Sequence, residues 1–435
     1  MIDTAHENGE HKYLMKRKLY NKISSLFLLL CLFLGGCASV LTGQEDEEQV
    51  WEAEQSQAVS GQVPDSILAS EPGPEPELHT LEDFSFLEEG SGFAYKDLSD
   101  AEKFWYRDME QILGGYRTDV ELSGKGLEAG LNETYIDKIF QCVLNDHPEL
   151  FYVEGYSYTK YTRYGREDEI LSVDFSGRYS VDFDTAKARY SQIQEAVSEI
   201  LTGISDSADQ YEKVKYVYDT LIRETDYQLD SADNQNIYSV FVNHLSVCQG
   251  YAKATQYLLN RLGVECALVL GKVQTGEGHA WNLVNIDGSY YYVDTTWGDA
   301  SYQPEGEAGE DQRIMPEINY DYLNVTTAEL LRTHTLNPDQ PMPECIAVDA
   351  NYYVREEALF FSYDREQMRE LFRRALEQER GDVTIKCVTR ECYDEIFDIL
   401  VEQKEIFDYL GGYGMSIAYS RNDIQLSLTF WVTNE

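Results

Sequence analysis

Apolar positions along the 435 residues follow two rhythms, and the switches between them mark out the elements. Ser99 and Glu102 have the spacing of a capping box, and the helix they open is expected to end at Gly114-Gly115. Another helix is predicted from Glu133 to Asp146, stopped by His147-Pro148 because a residue before proline avoids helical backbone. Tyrosine-rich alternation from Phe151 to Phe175 predicts two or three strands. Its aromatic residues (Phe151, Tyr152, Tyr156, Tyr158, Tyr161, Tyr164) are read as sheet residues in preference to a glycan-binding strip. Helices from Asp184 to Leu201 and from Ala208 to Glu224, the latter entered by Ser207 and Gln210, lead into the middle of the chain.

In that middle, Tyr251, Thr255, Leu258, Leu259 and Leu262 share one face of a helix that starts at Cys248 and closes at Gly263. Two β-rich runs follow, Gly278 to Ile286 and Ser289 to Trp297, joined by Asp287-Gly288, a strong two-residue hairpin signal. That turn pairs Ile286 with Ser289, and extending the register puts Asp294 opposite Trp281 and Thr296 opposite His279. His279 and Asp294 become diagonal neighbours on one face. A three-residue loop without a bulge would separate them. In this register Trp281 walls one side of the same face, and Trp297 points away from it.

Past Trp297, the acidic stretch Gly298 to Glu317 is too long for a routine connection; it either borders the cleft or is a disordered insertion. A helix from Arg365 to Gln378, a strand from Asp382 to Val388 and a helix from Glu391 to Phe407 follow. Two strands close the chain, the last alternating through Ile424, Leu426, Leu428, Phe430 and Val432.

The candidate chemistry follows from these placements. A cysteine on the first turn of a helix meets unpaired amides and the positive end of the dipole, which favour an anion. Cys248-Gln-Gly-Tyr-Ala, His279-Ala-Trp-Asn and Asp294-Thr-Thr-Trp together resemble the three core motifs of the bacterial transglutaminase-like superfamily. The resemblance covers roughly residues 205 to 300 and is weaker at Phe140 to Tyr152 and Tyr320 to His334. It implies a papain-like fold with Cys248, His279 and Asp294 as the catalytic triad. Ser246 departs from the glycine more common there. Gln249, Trp281 and Trp297 are the substrate-cleft candidates. His244 competes as a base or ligand, and a loop histidine is the preferred reading.

The first stretch reads as a targeting signal. Lys16, Arg17, Lys18 and Lys22 precede the apolar run Leu26 to Leu34, too short to span a bilayer comfortably. Met15 is the more natural start than Met1. Leu34-Gly-Gly-Cys37 resembles the lipobox of bacterial lipoproteins, with lipid on Cys37 after cleavage. Residues 37–79, rich in Glu, Gln and Pro, read as a disordered acidic tether.

Composition changes the picture in two respects. With 35 Lys+Arg against 78 Asp+Glu the net charge is -43, which excludes nucleic acid as a partner. The eight cysteines show no disulfide framework and no zinc pattern, and Cys266 reads as a buried small hydrophobe. No calcium loop is evident, and no metal or other cofactor is expected.

The expected architecture is α+β. Residues 1–36 form a signal peptide, 37–79 the lipidated tether, 80–204 a helical and β-hairpin region, 205–345 the papain-like transglutaminase core, and 346–435 a small α+β domain. The expected function is cysteine-dependent acyl transfer through a thioester on protein or peptidoglycan peptides. Hydrolysis is expected to dominate over transamidation, with the enzyme held outside the cytoplasm on the bacterial cell membrane by the lipid at Cys37. The alternative is a non-catalytic transglutaminase-like binding or scaffold lipoprotein of the envelope.

Overall fold

Alternation in the tyrosine-rich stretch becomes a long hairpin in the computed structural model, which describes residues 57–63, 92–299, 317–410 and 416–433. The signal-like stretch, Cys37, the tether and nearly all of Gly298 to Glu317 lie outside these residues. Strand β1 (Gln57–Val63) runs parallel to β2 (Val153–Arg163), which pairs antiparallel with β3 (Arg166–Tyr179). Helices α1 (Glu102–Gly114) and α2 (Ile136–Asp146) pack on this hairpin, with the Phe140 ring 4.7 Å from Tyr156 and 6.3 Å from Phe175. Ser99 and Glu102 reciprocate as the spacing required, the Ser99 N–H donating to the carboxylate at 2.9 Å.

Helices α3 (Phe183–Thr202) and α4 (Gln210–Glu224) come next. The entry to α4 is Asp209 with Glu212, not Ser207 with Gln210. Each donates its backbone N–H to the other's carboxylate at 2.8 Å. A carboxylate satisfies the first amides and the helix dipole together, which a hydroxyl cannot.

At the centre, α5 (Cys248–Arg261) lies on a sheet of β4 (Cys266–Val273), β5 (Gly278–Ile286), β6 (Ser289–Val293) and β7 (His334–Leu336), in the order β7-β4-β5-β6. Gly263, at φ 75°, ends the turn after α5. Cys266 is buried, and burial pushes its thiol well above the usual range. All six cysteines among the described residues are free.

The C-terminal sheet contains β8 (Leu359–Phe360), β9 (Asp382–Cys387), β10 (Ser416–Asn422) and β11 (Ser427–Thr433), in the order β8-β9-β11-β10. Helices α6 (Arg365–Glu377) and α7 (Arg390–Phe397) accompany it. The single helix expected to Phe407 is broken. It widens over Asp398–Glu402, and Lys404 takes a left-handed φ of 65° before a short turn Ile406–Tyr409. The closing alternation is also shorter than its pattern. Leu428 and Phe430 are buried, whereas Ile424 is exposed in the turn before the strand and Leu426 sits at φ 59°. One continuous apolar cluster nevertheless runs from Tyr95 to Phe430. No helix among the described residues is long and apolar enough to cross a membrane.

A buried ion pair joins the C-terminal sheet to the centre. Lys386, on β9, places Nζ 3.0 Å from Asp321 Oδ1, with both side chains 2% exposed. Asp321 also accepts from Tyr353 Oη at 3.0 Å, Asn422 Nδ2 at 2.9 Å and Ser427 Oγ at 2.6 Å. Removing one partner of such a pair strands the other charge in low dielectric. Lys386→Met is therefore predicted to cost about 3 kcal/mol of folding stability. Urea unfolding measures this, and a loss below about 1 kcal/mol would show that the pair is not the anchor described.

Candidate active site

The nucleophile candidate is held by contacts that begin before its helix. Val247, extended and non-helical, precedes α5, and its N–H donates to Asn234 O at 3.0 Å. Ser246, fully buried, donates to the same carbonyl at 2.7 Å and shares a 2.8 Å hydrogen bond with Ser239. The departure from glycine at 246 thus ties the preceding loop to the cysteine turn. It also explains Gly250, where a Cβ would lie 1.9 Å from Ser246 Oγ. Cys248 packs with Ala252, Leu268 and Ala280 at the junction of α5 and the sheet. Three further bonds fix the helix: Tyr251 Oη to Thr225 O at 2.6 Å, Thr255 Oγ1 with Thr295 Oγ1 at 2.8 Å, and Asn282 Nδ2 to Ala252 O at 2.9 Å. His244 is an exposed loop residue at φ 56°.

The Asp287-Gly288 turn has both residues at positive φ, 51° and 85°, and the ladder runs from Ile286–Ser289 to Asn282–Val293 as projected. There it stops, three residues short of the last projected pair. Asp294 leaves the strand and caps the short helical turn Thr295–Gly298, its Oδ1 accepting from Trp297 N at 3.1 Å. The pairs Trp281–Asp294 and His279–Thr296 therefore do not form, but the carboxylate still reaches its imidazole: His279 Nε2 lies 2.8 Å from Asp294 Oδ2. The helical turn also corrects the direction given to Trp297. Its ring comes back to 6.1 Å from His279, where a continued strand would have turned it away. Trp281 is fully buried with its ring 5.9 Å from His279, and Gln249 is half-buried on the first turn of α5.

A second histidine completes the cluster. His334, at the start of β7, places Nε2 3.0 Å from the same Asp294 Oδ2 and Nδ1 2.8 Å from Thr333 Oγ1. Only the weaker likeness around Tyr320 to His334 hinted at it, because a three-residue strand carries no periodicity of its own.

Electrostatics set the protonation of the group. Burial alone pushes the His279 imidazole down, but the charge and hydrogen bond of Asp294, with the adjoining Cys248 thiol, raise it to about 10. Burial would raise the Asp294 carboxyl, yet His279 and His334 hold it well below the usual carboxylate range. Asp294 is thus an ionised acceptor, and both Nε2 atoms carry protons toward it. His279 Nδ1 is left to serve the thiol, whose hydrogen bond also acts on that ring.

His279, Asp294 and His334 are also close enough together to hold a metal ion. Hydrogen bonding accounts for their placement without one, since Oδ2 sits at donor–acceptor distance from both nitrogens.

Residues 197–295 match the Transglutaminase-like superfamily, less than half of the chain. This segment is a transglutaminase-like domain. Kyphoscoliosis peptidase of Mus musculus is 26% identical over 124 residues, covering 25% of this chain and 18% of that protein. The Homo sapiens protein of that name gives the same figures, so the chain spans under a fifth of the length of these curated relatives. A crystal structure of a TGase aligns over 38% of this chain and 57% of the other, at 13% identity and a TM-score of 0.25. The transglutaminase-like domain is of the papain-like α+β class, with Cys248 opening its helix and His279 on its sheet.

The pH dependence of stability follows from the two shifts. A raised imidazole contributes fully below its unfolded value near 6.5 and loses that contribution as pH climbs toward 10. A depressed carboxyl contributes above its unfolded value near 4 and loses it in acid. The stability gap between wild type and Asp294→Asn should therefore be widest between about pH 4 and 6.5 and narrow at alkaline pH. Urea unfolding across pH checks this, and a gap that widens at alkaline pH would contradict the pairing.

Proposed function

We propose that the chain is a cysteine-dependent acyl-transfer enzyme in which Cys248, His279 and Asp294 act as a triad. The observation that carries this reading is the buried His279–Asp294 pair at 2.8 Å with the thiol as the imidazole's other hydrogen-bonding neighbour. The Cys248 thiolate attacks the carbonyl carbon of an amide, and the C=O electron pair moves to oxygen. Amides on the first turn of α5 are unpaired within the helix and serve as oxyanion donors. The tetrahedral intermediate collapses with loss of the C–N bond, and the proton on His279 Nδ1 passes to the departing amine. A thioester remains. Water or an amine, deprotonated by His279, then attacks the thioester and restores the thiolate, giving hydrolysis or transamidation. Asp294 keeps the imidazole oriented and stabilises its cation throughout.

The substrates proposed are protein or peptidoglycan peptides, with hydrolysis the main outcome. The peptidase name of the curated relatives agrees with this, although the match covers 18% of their length. The proposed site of action is the outer face of a bacterial cell membrane, with lipid on Cys37. Support for it is the basic and apolar sequence before Leu34-Gly-Gly-Cys37.

Two outcomes are predicted. Cys248→Ala and His279→Ala should each lower turnover by on the order of a thousandfold or more, Cys248→Ala with little change in melting temperature and His279→Ala with a lowered one, because Asp294 is left short of a donor. Mass analysis of products from peptide substrates, with and without amine donors, measures this and the ratio of hydrolysed to coupled product. Full activity in Cys248→Ala would overturn the triad, absence of turnover in wild type would return the protein to the scaffold reading, and predominant coupling would make it a crosslinking enzyme. In a bacterial host, Cys37→Ser should move the protein from the membrane to the soluble fraction. An unacylated wild-type N-terminus elsewhere would remove the anchor.

A further inference from the structure

We propose that His334 is a positioning residue for the Cys248–His279 pair, supplying the second imidazole donor that locks Asp294. This rests on the triad reading above and adds a residue to it. Asp294 is withdrawn from water, with its side chain and that of His334 both 0% exposed. A carboxylate in such a place stays ionised only if its lone pairs are met by donors. Three meet it: His279 Nε2–H and His334 Nε2–H on Oδ2, and the Trp297 N–H on Oδ1. The Trp297 bond is part of a helical turn and sets where the carboxylate sits. His334 reaches Oδ2 from a different strand, β7, and so fixes the oxygen that His279 uses.

The partners of His334 set the role of each ring nitrogen. Its Nε2 faces an ionised carboxylate and must carry the proton. Its Nδ1 lies 2.8 Å from Thr333 Oγ1, while the alternative acceptor for that hydroxyl, Leu330 O, is at 3.3 Å. Tyr322 Oη donates to Thr333 Oγ1 at 3.4 Å, and Gln425 Nε2 donates to Tyr322 Oη at 3.4 Å. The line Gln425–Tyr322–Thr333–His334–Asp294 thus runs donor to acceptor without conflict, with Nδ1 of His334 accepting and Nε2 donating. Packing holds the ring: Trp297 lies 4.8 Å away, Trp281 5.0 Å and Tyr322 5.8 Å. Among the described residues, Tyr218, on α4, and Tyr322 also feel the Asp294 charge, with Asp321 beside Tyr322.

The test compares alkylation of Cys248 by iodoacetamide at mildly acidic and at alkaline pH, in the full chain. Wild type should react fast in both, because His279 holds the proton of the thiol. His334→Phe keeps a ring in the aromatic cage but no donor. It should slow the mildly acidic reaction by about tenfold or more and leave the alkaline rate within about twofold, since a thiol of ordinary acidity ionises there without an imidazole's help. His334→Gln restores an N–H toward Oδ2 and should recover most of the acidic rate. Thr333→Val, which releases Nδ1 without touching the cage, should give a smaller loss in the same direction. A His334→Phe protein as fast as wild type in acid, or a His334→Gln protein as slow as His334→Phe, would overturn the proposal. If wild type itself shows no fast reaction in acid, the triad reading fails, and this proposal with it.

Discussion

A carboxylate with no access to water must find all its donors inside the protein, and the arrangement of this site follows from meeting that demand for Asp294. An uncompensated buried charge costs several kcal/mol, a large part of the whole stability of a domain. Two imidazoles and a backbone amide meet Asp294, while its own N–H donates to Tyr322 O at 3.0 Å. The donors come from β5, from β7 and from the turn after β6. None of these elements satisfies the carboxylate alone. Closing the sheet and satisfying Asp294 are therefore one event.

What could be read directly from the sequence was local. Asp287-Gly288 specifies a turn with two positive φ values, and from it the register of β5 with β6 follows by counting. The start of α5 at Cys248 and its end before Gly263 were equally legible, because capping and periodicity act over a few residues. The error at Asp294 was one of competing local signals. Aspartate is a poor strand residue and a good N-cap, and the cap won. That choice also decided the direction of Trp297. His334 was hidden for a different reason. Its link to Asp294 spans forty positions and depends on β7 pairing back onto β4, His334 opposite Val273, which no local pattern encodes.

The acidity of the chain has little to do with the site. Most ion pairs among the described residues lie at the surface, where solvent leaves each worth little. The buried Lys386–Asp321 pair is of another kind, since Asp321 belongs to the turn Tyr320–Tyr322 whose last carbonyl receives the Asp294 N–H. The C-terminal sheet, which carries no histidine of its own, is in this way part of the frame around the catalytic candidates.

That frame has a temporal side. Of the four partners of Asp321, Lys386, Asn422 and Ser427 lie far downstream of Cys248, His279 and Asp294. A nascent polypeptide that has emerged only as far as β9 carries the thiol and both its helpers, yet lacks Asn422 and Ser427, the two side chains that meet Asp321 Oδ2. The order of synthesis therefore puts the candidate nucleophile on the growing chain well before the last supports of its surroundings, and the complete frame must await the final strands.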